Sequence, residues 1–344
     1  VELVGLADHD RFPDDPEPEY VDINDENIAV VTLQENNHIV HVDLTSGEVI
    51  DHYSAGSVDL HQIDTLENKL IELTDELAGV LREPDGVSWI DHEHFATADE
   101  GDLDGGSRGF TVFNSDGTVA YDPAEAVEHV IVRHGHYPEE RSENKGNEPE
   151  NVETGNYGKH KLLFVGSERA SVVLVYKLHR KHRKPPELIQ VLPTMVKPEG
   201  LLAIPHRGLF VAAGEEDERG DKIRGGLSIY RLGKANYPTI VSENRHKGTP
   251  IPWGALSGMA IDTKDDDTAY TIMDSFYQQS RILTMDVDDV PARITGEIVL
   301  KDKYGKLAEI ALDPDGAVND DLTVNLDPEG IATRKHGGFW VASE

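Results

Sequence analysis

Carboxylates recur in this chain at a fixed place beside proline. The copies are Glu17-Pro18-Glu19-Tyr20, Glu83-Pro84-Asp85-Gly86, Glu148-Pro149-Glu150-Asn151, Lys197-Pro198-Glu199-Gly200 and Asp327-Pro328-Glu329-Gly330, with a worn copy at Leu256-Ser257-Gly258. Each is followed by a second acid, Glu35, Glu100, Glu168, Glu215, Asp274 and Glu344, placed 16 to 19 residues after the proline position. Crowded carboxylates repel and take up protons unless a hard cation holds them ionised. Calcium, which accepts about six to eight oxygens in loose geometry, suits such a set better than magnesium with its strict octahedron. An isolated Pro-Glu-Gly is only a good turn; recurrence with a paired acid is what points to metal. The candidate ligands of more than one Ca2+ ion are therefore Glu19, Glu35, Asp85, Glu100, Glu150, Glu168, Glu199, Glu215, Asp274, Glu329 and Glu344.

In four repeats the loop after the second acid carries arginine: Arg108, Arg169, Arg219 with Arg224, and Arg281, whereas the first repeat has Asn36 and Asn37. Guanidinium groups beside metal-bound carboxylates suit a phosphate, which needs forked donors and a Lewis acid together. The alternative is that they only neutralise an acidic rim, and Arg141 and Lys145 fit either role. Calcium acidifies its water poorly, so phosphate chemistry needs either a hydroxide bridging two ions or a base, for which Glu168 and Glu215 are the candidates. The candidate catalytic set is thus Glu168, Glu215, Arg169, Arg281, Arg108 and Arg224.

These residues require elements that present them together. The second copy shows the unit best: strand Val87 to Ile90, turn, strand Phe95 to Ala98, loop, strand Phe110 to Phe113, the turn Asn114-Ser115-Asp116-Gly117, then Val119 to Tyr121. Such a four-stranded meander recurs, with paired strands at Ile28 to Leu33 and His38 to Asp43, Leu162 to Gly166 and Val172 to Leu178, Leu209 to Ala213 and Leu227 to Leu232, and Ala269 to Met273 and Ile282 to Asp286. In an antiparallel hairpin the start of one strand and the end of its partner lie at the same end, so the two acids of a repeat meet at one face. Radial repetition of four-stranded sheets protects their edges. The prediction is all-β: a β-propeller of six motif-bearing four-stranded blades, six or seven in total, the last incomplete. Two β-sandwiches are the runner-up. Motif starts lie 49 to about 72 residues apart, so one domain over 1–344 carries inserted loops near 54–82, 122–147 and 301–325. Asp64 to Val80 is expected to be a helical cap, and Val1 to Ala7 is a candidate for closing the ring.

Composition bounds the partners. Asp and Glu number 65 against 32 Lys and Arg, a net charge of −33, which repels nucleic acid and anionic lipid and calls for cations. The basic run His179 to Lys184 reads as a solvated turn, not a nucleic-acid patch. Cysteine is absent, which removes disulfides and thiolate chemistry. No run approaches the roughly 18 apolar residues that cross a bilayer. The chain begins at Val1 without a methionine or leader, read as processed or trimmed, and calcium use without cysteine places it outside the cytoplasm: secreted, periplasmic or at the cell surface. His134 and His136 on one side of an extended segment lack a third ligand nearby.

Glu83-Pro84-Asp85-Gly86 with Ala98-Asp99-Glu100-Gly101, and Asp327-Pro328-Glu329-Gly330-Ile331-Ala332 with Gly338 to Glu344, resemble the phytase-like esterase family of bacterial secreted propellers. The likeness implies a propeller and a hydrolase of phosphate esters. The functional expectation is calcium-dependent hydrolysis of a small phosphorylated substrate by attack of water at phosphorus. Its rival is a non-catalytic, calcium-stabilised extracellular propeller for adhesion, surface assembly or glycan binding.

Overall fold

The computed structural model describes residues 11–179, 184–218, 220–311 and 314–344. Val1 to Ala7, Arg219 and residues 180–183 of the basic turn lie outside the described residues. The fold is all-β. Sheet 1 is a meander of β1 (Pro18–Ile23), β2 (Ile28–Leu33), β3 (His38–Asp43) and β4 (Glu48–Ser54), followed by a hairpin of β5 (Ser57–Ile63) and β6 (Asp75–Leu81). Sheet 2 contains β7 (Val87–Trp89), β8 (His94–Asp99), β9 (Gly109–Asn114) and β10 (Val119–Tyr121). After α1 (Ala126–Arg133), sheet 3 runs through β11 (Pro149–Tyr157), β12 (His160–Ser167), β13 (Val172–Leu178) and β14 (Glu187–Pro193). Sheet 4 has three strands, β15 (Pro198–Ile204), β16 (Leu209–Gly214) and β17 (Gly226–Arg231).

Sheet 5 takes a fifth strand: β18 (Ile240–Ser242) pairs in parallel with β22 (Ala292–Val299), beyond which lie β21 (Arg281–Asp286), β20 (Thr268–Met273) and β19 (Leu256–Ile261). Two short helices, α2 (Lys306–Ile310) and α3 (Pro314–Ala317), precede the two strands of sheet 6, β23 (Pro328–Thr333) and β24 (Phe339–Ser343). Among the described residues six motif-led sheets are therefore present, each open, and three of them are regular four-stranded meanders. The chain divides into two compact units. Unit 1 comprises the residues through Thr65, Thr74–Glu128 and Arg141–Tyr237; unit 2 comprises Leu66–Leu73, His129–Glu140 and Pro238–Glu344.

The expected helix over Asp64 to Val80 is wrong. Asp75–Leu81 pairs with Ser57–Ile63 as β6 against β5, and no helix is described between them. The insert near 122–147 carries a helix that sequence reading missed, α1, whose Val127 and Ile131 are buried one turn apart. His134 ends that helix and is not in an extended segment: its Nδ1 lies 2.6 Å from the Val130 carbonyl oxygen, and burial lowers its pKa.

Within unit 1, sheets 1 and 2 share a core of Val30, Ile39, Val87, Trp89, Phe95 and Phe113. Sheets 3 and 4 share another around Phe164, Val173, Val175, Leu201 and Phe210. Apolar residues on alternate positions of each meander thus face those of the next sheet, the arrangement by which repeated sheets bury what one alone cannot.

Candidate metal centre

The motif has a local conformation that explains its letters. Glu17, Glu83, Glu148, Lys197 and, in the worn copy, Ala255 have φ of +34°, +42°, +43°, +53° and +42°. Left-handed backbone costs a residue with a Cβ about 1–2 kcal/mol, and the following proline restricts it further. The carbonyls so placed accept hydrogen bonds from the far end of the second strand. Gly101 N–H donates to Glu83 O (3.0 Å), Glu168 to Glu148 (2.8 Å), Glu215 to Lys197 (3.0 Å) and Asp274 to Ala255 (2.8 Å), and Glu344 donates likewise to Asp327 O (3.0 Å), whose backbone is not left-handed. Both acids of a repeat are thereby held at one end of the hairpin.

Next comes a β-bulge. Pairing slips between Pro18 and Val21, Pro149 and Asn151, Pro198 and Leu201, Leu256 and Met259, and Pro328 and Gly330. The acid after proline sits on the bulge, a device that re-aims a side chain out of the ladder. The motifs of successive sheets also touch. Thr32 Oγ1 donates to Asp85 O (2.6 Å), Gly86 N–H to Glu150 O (3.1 Å) and Asn151 Nδ2 to Glu199 O (3.1 Å). In unit 2, Ser257 Oγ donates to Pro328 O (2.5 Å). Gly86 is fixed by this contact, since a Cβ there would lie 2.5 Å from Asn151 Oδ1 and 2.6 Å from Asn151 Cα.

Two groups of three carboxylates result in unit 1, Asp85 with Glu100 and Glu150, and Glu100 with Glu148 and Glu168, each presenting oxygens within 4.8 Å of one another. Glu100 belongs to both. A third group, Asp274 with Asp327 and Glu329, lies in unit 2. Glu199 adds its charge to Asp85 and Glu150, and Glu19 adds to Asp85. Burial, reinforced by Glu100, Glu19 and Glu199, pushes Asp85 up to about 7. Burial, then Glu100 and Asp85, pushes Glu150 up to about 9. Glu168 rises to about 7 through burial, which outweighs the neighbouring Arg169. Burial and mutual repulsion thus favour the protonated forms of these carboxylates, Glu150 most of all, unless a cation takes the proton's place. An all-oxygen donor set fits calcium. So do the buried Asn147 Oδ1 and Asn151 Oδ1, which flank Glu148 and Glu150 in the chain and have no hydrogen-bond partner.

Cations surround this group. Glu148 accepts from Arg141 Nε (2.6 Å) and Arg169 Nε (2.7 Å), while Arg169 Nη1 lies 3.2 Å from Glu168. Glu100 accepts from Lys145 Nζ (2.9 Å) and Gln34 Nε2 (2.7 Å). Lys197 pairs with Glu216 at 2.7 Å.

Other candidates lie elsewhere. Glu35 meets Glu17 and Asp102, and the contact with Glu17 raises it to about 7. Glu215 is exposed and raises its neighbour Glu199, and the Glu344 side chain is exposed. Arg108 is buried, donating to Asp64 O (2.8 Å), Ser142 O (2.7 Å) and Glu128 Oε1 (3.1 Å), none of them a motif acid. Arg281, in unit 2, is buried against Glu297 (2.7 Å). Arg224 is exposed, 3.5 Å from Asp217. Sequence reading missed Glu83 and Glu148, the residues before proline. Both are fully buried, and Glu83 accepts from the Asp102 N–H at 2.7 Å.

The family model described as Choice-of-anchor I domain matches residues 1–105 and 103–181. The model described as Esterase-like activity of phytase matches residues 251–344, as the motifs there predict. No curated protein matches. Among solved structures, a protein of unknown function from Desulfotomaculum acetoxidans aligns at 11% identity over 82% of this chain and 74% of its own, with TM-score 0.35. The periplasmic gluconolactonase of Pseudomonas aeruginosa aligns at 13% identity over 82% and 72%, with TM-score 0.34. Both likenesses are too loose to bear on fold or activity. Among the described residues no helix is long and apolar enough to cross a membrane.

Proposed function

The chain belongs to the Choice-of-anchor I domain family, and we propose that it is a calcium-dependent hydrolase of phosphate esters, working outside the cytoplasm as a single propeller. The observation that carries this reading is the pair of carboxylate triads sharing Glu100, with Arg169 in contact with Glu148 and Glu168. Asp85, Glu100, Glu148, Glu150 and Glu168 would hold calcium there, and the bound ion would act as a Lewis acid toward a phosphoryl oxygen. Asp274, Asp327 and Glu329 would hold a further ion. Glu168, beside Arg169, would take a proton from the attacking water as its oxygen bonds to phosphorus and the ester P–O bond breaks, the leaving oxygen departing to solvent. Arg169 orients the phosphoryl group and balances the charge that develops on it. Lys145 and Gln34 fix the rotamer of Glu100.

A second reading has its own support. Arg141 and Arg169 are already engaged by Glu148, while Arg108 and Arg281 are buried in ion pairs of their own. Such a surface suits a calcium-held scaffold for adhesion, surface assembly or glycan contact. The test is turnover of an aryl phosphate by the full chain with calcium and with excess chelator, for the parent protein and Arg169→Ala. Turnover that needs calcium and falls in the variant without loss of fold supports the hydrolase. Calcium binding without any turnover supports the scaffold, and turnover that persists in chelator refutes the mechanism.

A further inference from the structure

The ends of sheets 3 and 4 remote from the carboxylates enclose a cleft of about 660 Å³. Register fixes its place: Tyr157 pairs with His160 and Leu209 with Arg231, whereas the acid end of the same sheets is marked by Pro149 against Ser167 and Pro198 against Gly214. Sheet 4 stops at β17 because the next strand, β18, pairs with β22 instead, and the coil Leu232 to Tyr237 lines the cleft.

Its floor is an aromatic stack that is itself buried, Tyr157, Phe164 and Phe210 being only 5%, 3% and 3% exposed, and it offers few spare donors. Phe164 and Phe210 stack with centroids 3.9 Å apart and planes 6° from parallel, and Tyr157 meets Phe164 edge-on at 6.0 Å. The Tyr157 hydroxyl donates to Leu209 O (2.6 Å), and Tyr230 donates to Pro193 O. Gln190 Nε2 is turned to Val191 O and Tyr237 O. A guest would therefore need an apolar body. Ile229, 63% exposed, would be covered by it.

The charge of the lining is the second observation. In a chain with 65 acidic residues, no Asp or Glu among the described residues lines this cleft. Its two cations, Arg231 and Lys234, are both exposed, and among the described residues neither makes an ion pair. Arg169 and Lys145, by contrast, contact carboxylates. Pockets of about 300–1,000 Å³ with apolar walls and a few placed polar groups are the usual form of small-molecule sites.

We infer that this cleft is a binding site for a small amphipathic organic anion, its aromatic or aliphatic body against the exposed Ile189, Ile229 and Leu232 and its acid group between Arg231 and Lys234. The site is separate from the metal centre and does not depend on its function.

The test uses the calcium-replete full chain and two probes, anilinonaphthalene sulfonate and its uncharged counterpart phenylnaphthylamine, followed by fluorescence. One saturable site is expected for each. The double variant Arg231→Ser/Lys234→Ser, at exposed positions, weakens the sulfonate about tenfold or more and leaves the uncharged probe within about twofold. Ile229→Trp, filling the mouth, weakens both. Circular dichroism and melting temperature establish that each variant is folded. Sulfonate binding unchanged in the double variant, uptake without saturation, or indifference of both probes to Ile229→Trp overturns the assignment.

Discussion

If calcium fills the carboxylate group as proposed, its removal should destabilise the protein more as pH rises, and the repulsion among Asp85, Glu100 and Glu150 sets the sign. Asp85 is pushed from 3.8 to about 7 and Glu150 from 4.5 to about 9 in the folded chain. The native state thus holds these protons more tightly than the unfolded one, and the slope of unfolding free energy with pH is negative between the two values. For Asp85 the calcium-free protein is unpenalised below about pH 4, loses stability as pH climbs to about 7, and is level above. Glu150 extends the loss to about pH 9. At about 1.4 kcal/mol per unit, Asp85 alone accounts for roughly 4 kcal/mol, and because its neighbours share the same repulsion their costs do not simply add. Set against a net stability of about 5–15 kcal/mol, this corresponds to a fall in melting temperature of about six degrees for a chain of 344 residues. The assay is thermal unfolding in calcium and in chelator at pH 5, 7 and 9. A calcium-induced rise that widens from pH 5 to pH 9 is expected. A rise equal at all three values, or a calcium-free protein that grows more stable from pH 5 to pH 9, would refute the reasoning.

Glu150→Gln should raise the melting temperature of the chelator-treated protein while reducing its response to calcium, since it removes repulsion and a ligand together. Glu100→Gln, which removes the charge of the carboxylate common to both triads, should weaken calcium binding by at least about tenfold in calorimetry. Gly86→Ala should cost about 2 kcal/mol or more in denaturant unfolding through its clash with Asn151, against about 1 kcal/mol for Gly158→Ala, which has φ of +65° but open space around it. Arg108→Met leaves Glu128 charged and buried and should cost about 3–5 kcal/mol, with calcium affinity of the folded fraction unchanged.

Much of this was legible in the sequence because it follows from hairpin geometry. Strands β2, β3 and β13 have the predicted bounds, and the paired acids of a repeat meet because a hairpin returns to its starting end. What failed was whatever the local spacing and propensity of residues do not decide by themselves. Asp64 to Val80 spaces Leu66, Leu70, Leu73, Leu77 and Val80 at helical intervals, but Asp75–Leu81 finds a ladder in β5. Val127, Ile131 and Val132 favour strands by propensity, yet they fold into α1, where Val127 and Ile131 are buried one turn apart. Arg108 and Arg169 hold similar places in their repeats. The first turns inward because helix α1 supplies Glu128, and the second turns to Glu148. Nothing local in the sequence separates them.

Glu148 shows why the acids are to be read as a site and not as surface. A glutamate before proline would, on local grounds alone, adopt extended backbone and face water. Here it takes left-handed backbone, is fully buried, and carries two arginines. Its carbonyl meanwhile secures Glu168 at 2.8 Å. Strain, burial of charge and proximity of like charges each cost stability, and all three fall on the same few residues. Sequences tolerate such concentrated conflict where function requires it. A protein needing only solubility would spread its 65 acids outward, where they cost almost nothing. Arg141 and Arg169 satisfy Glu148, but Asp85 and Glu150 meet further acids and remain uncompensated by the chain itself. The charge still wanting at that place is positive, and an oxygen-coordinated cation is the species whose chemistry supplies it.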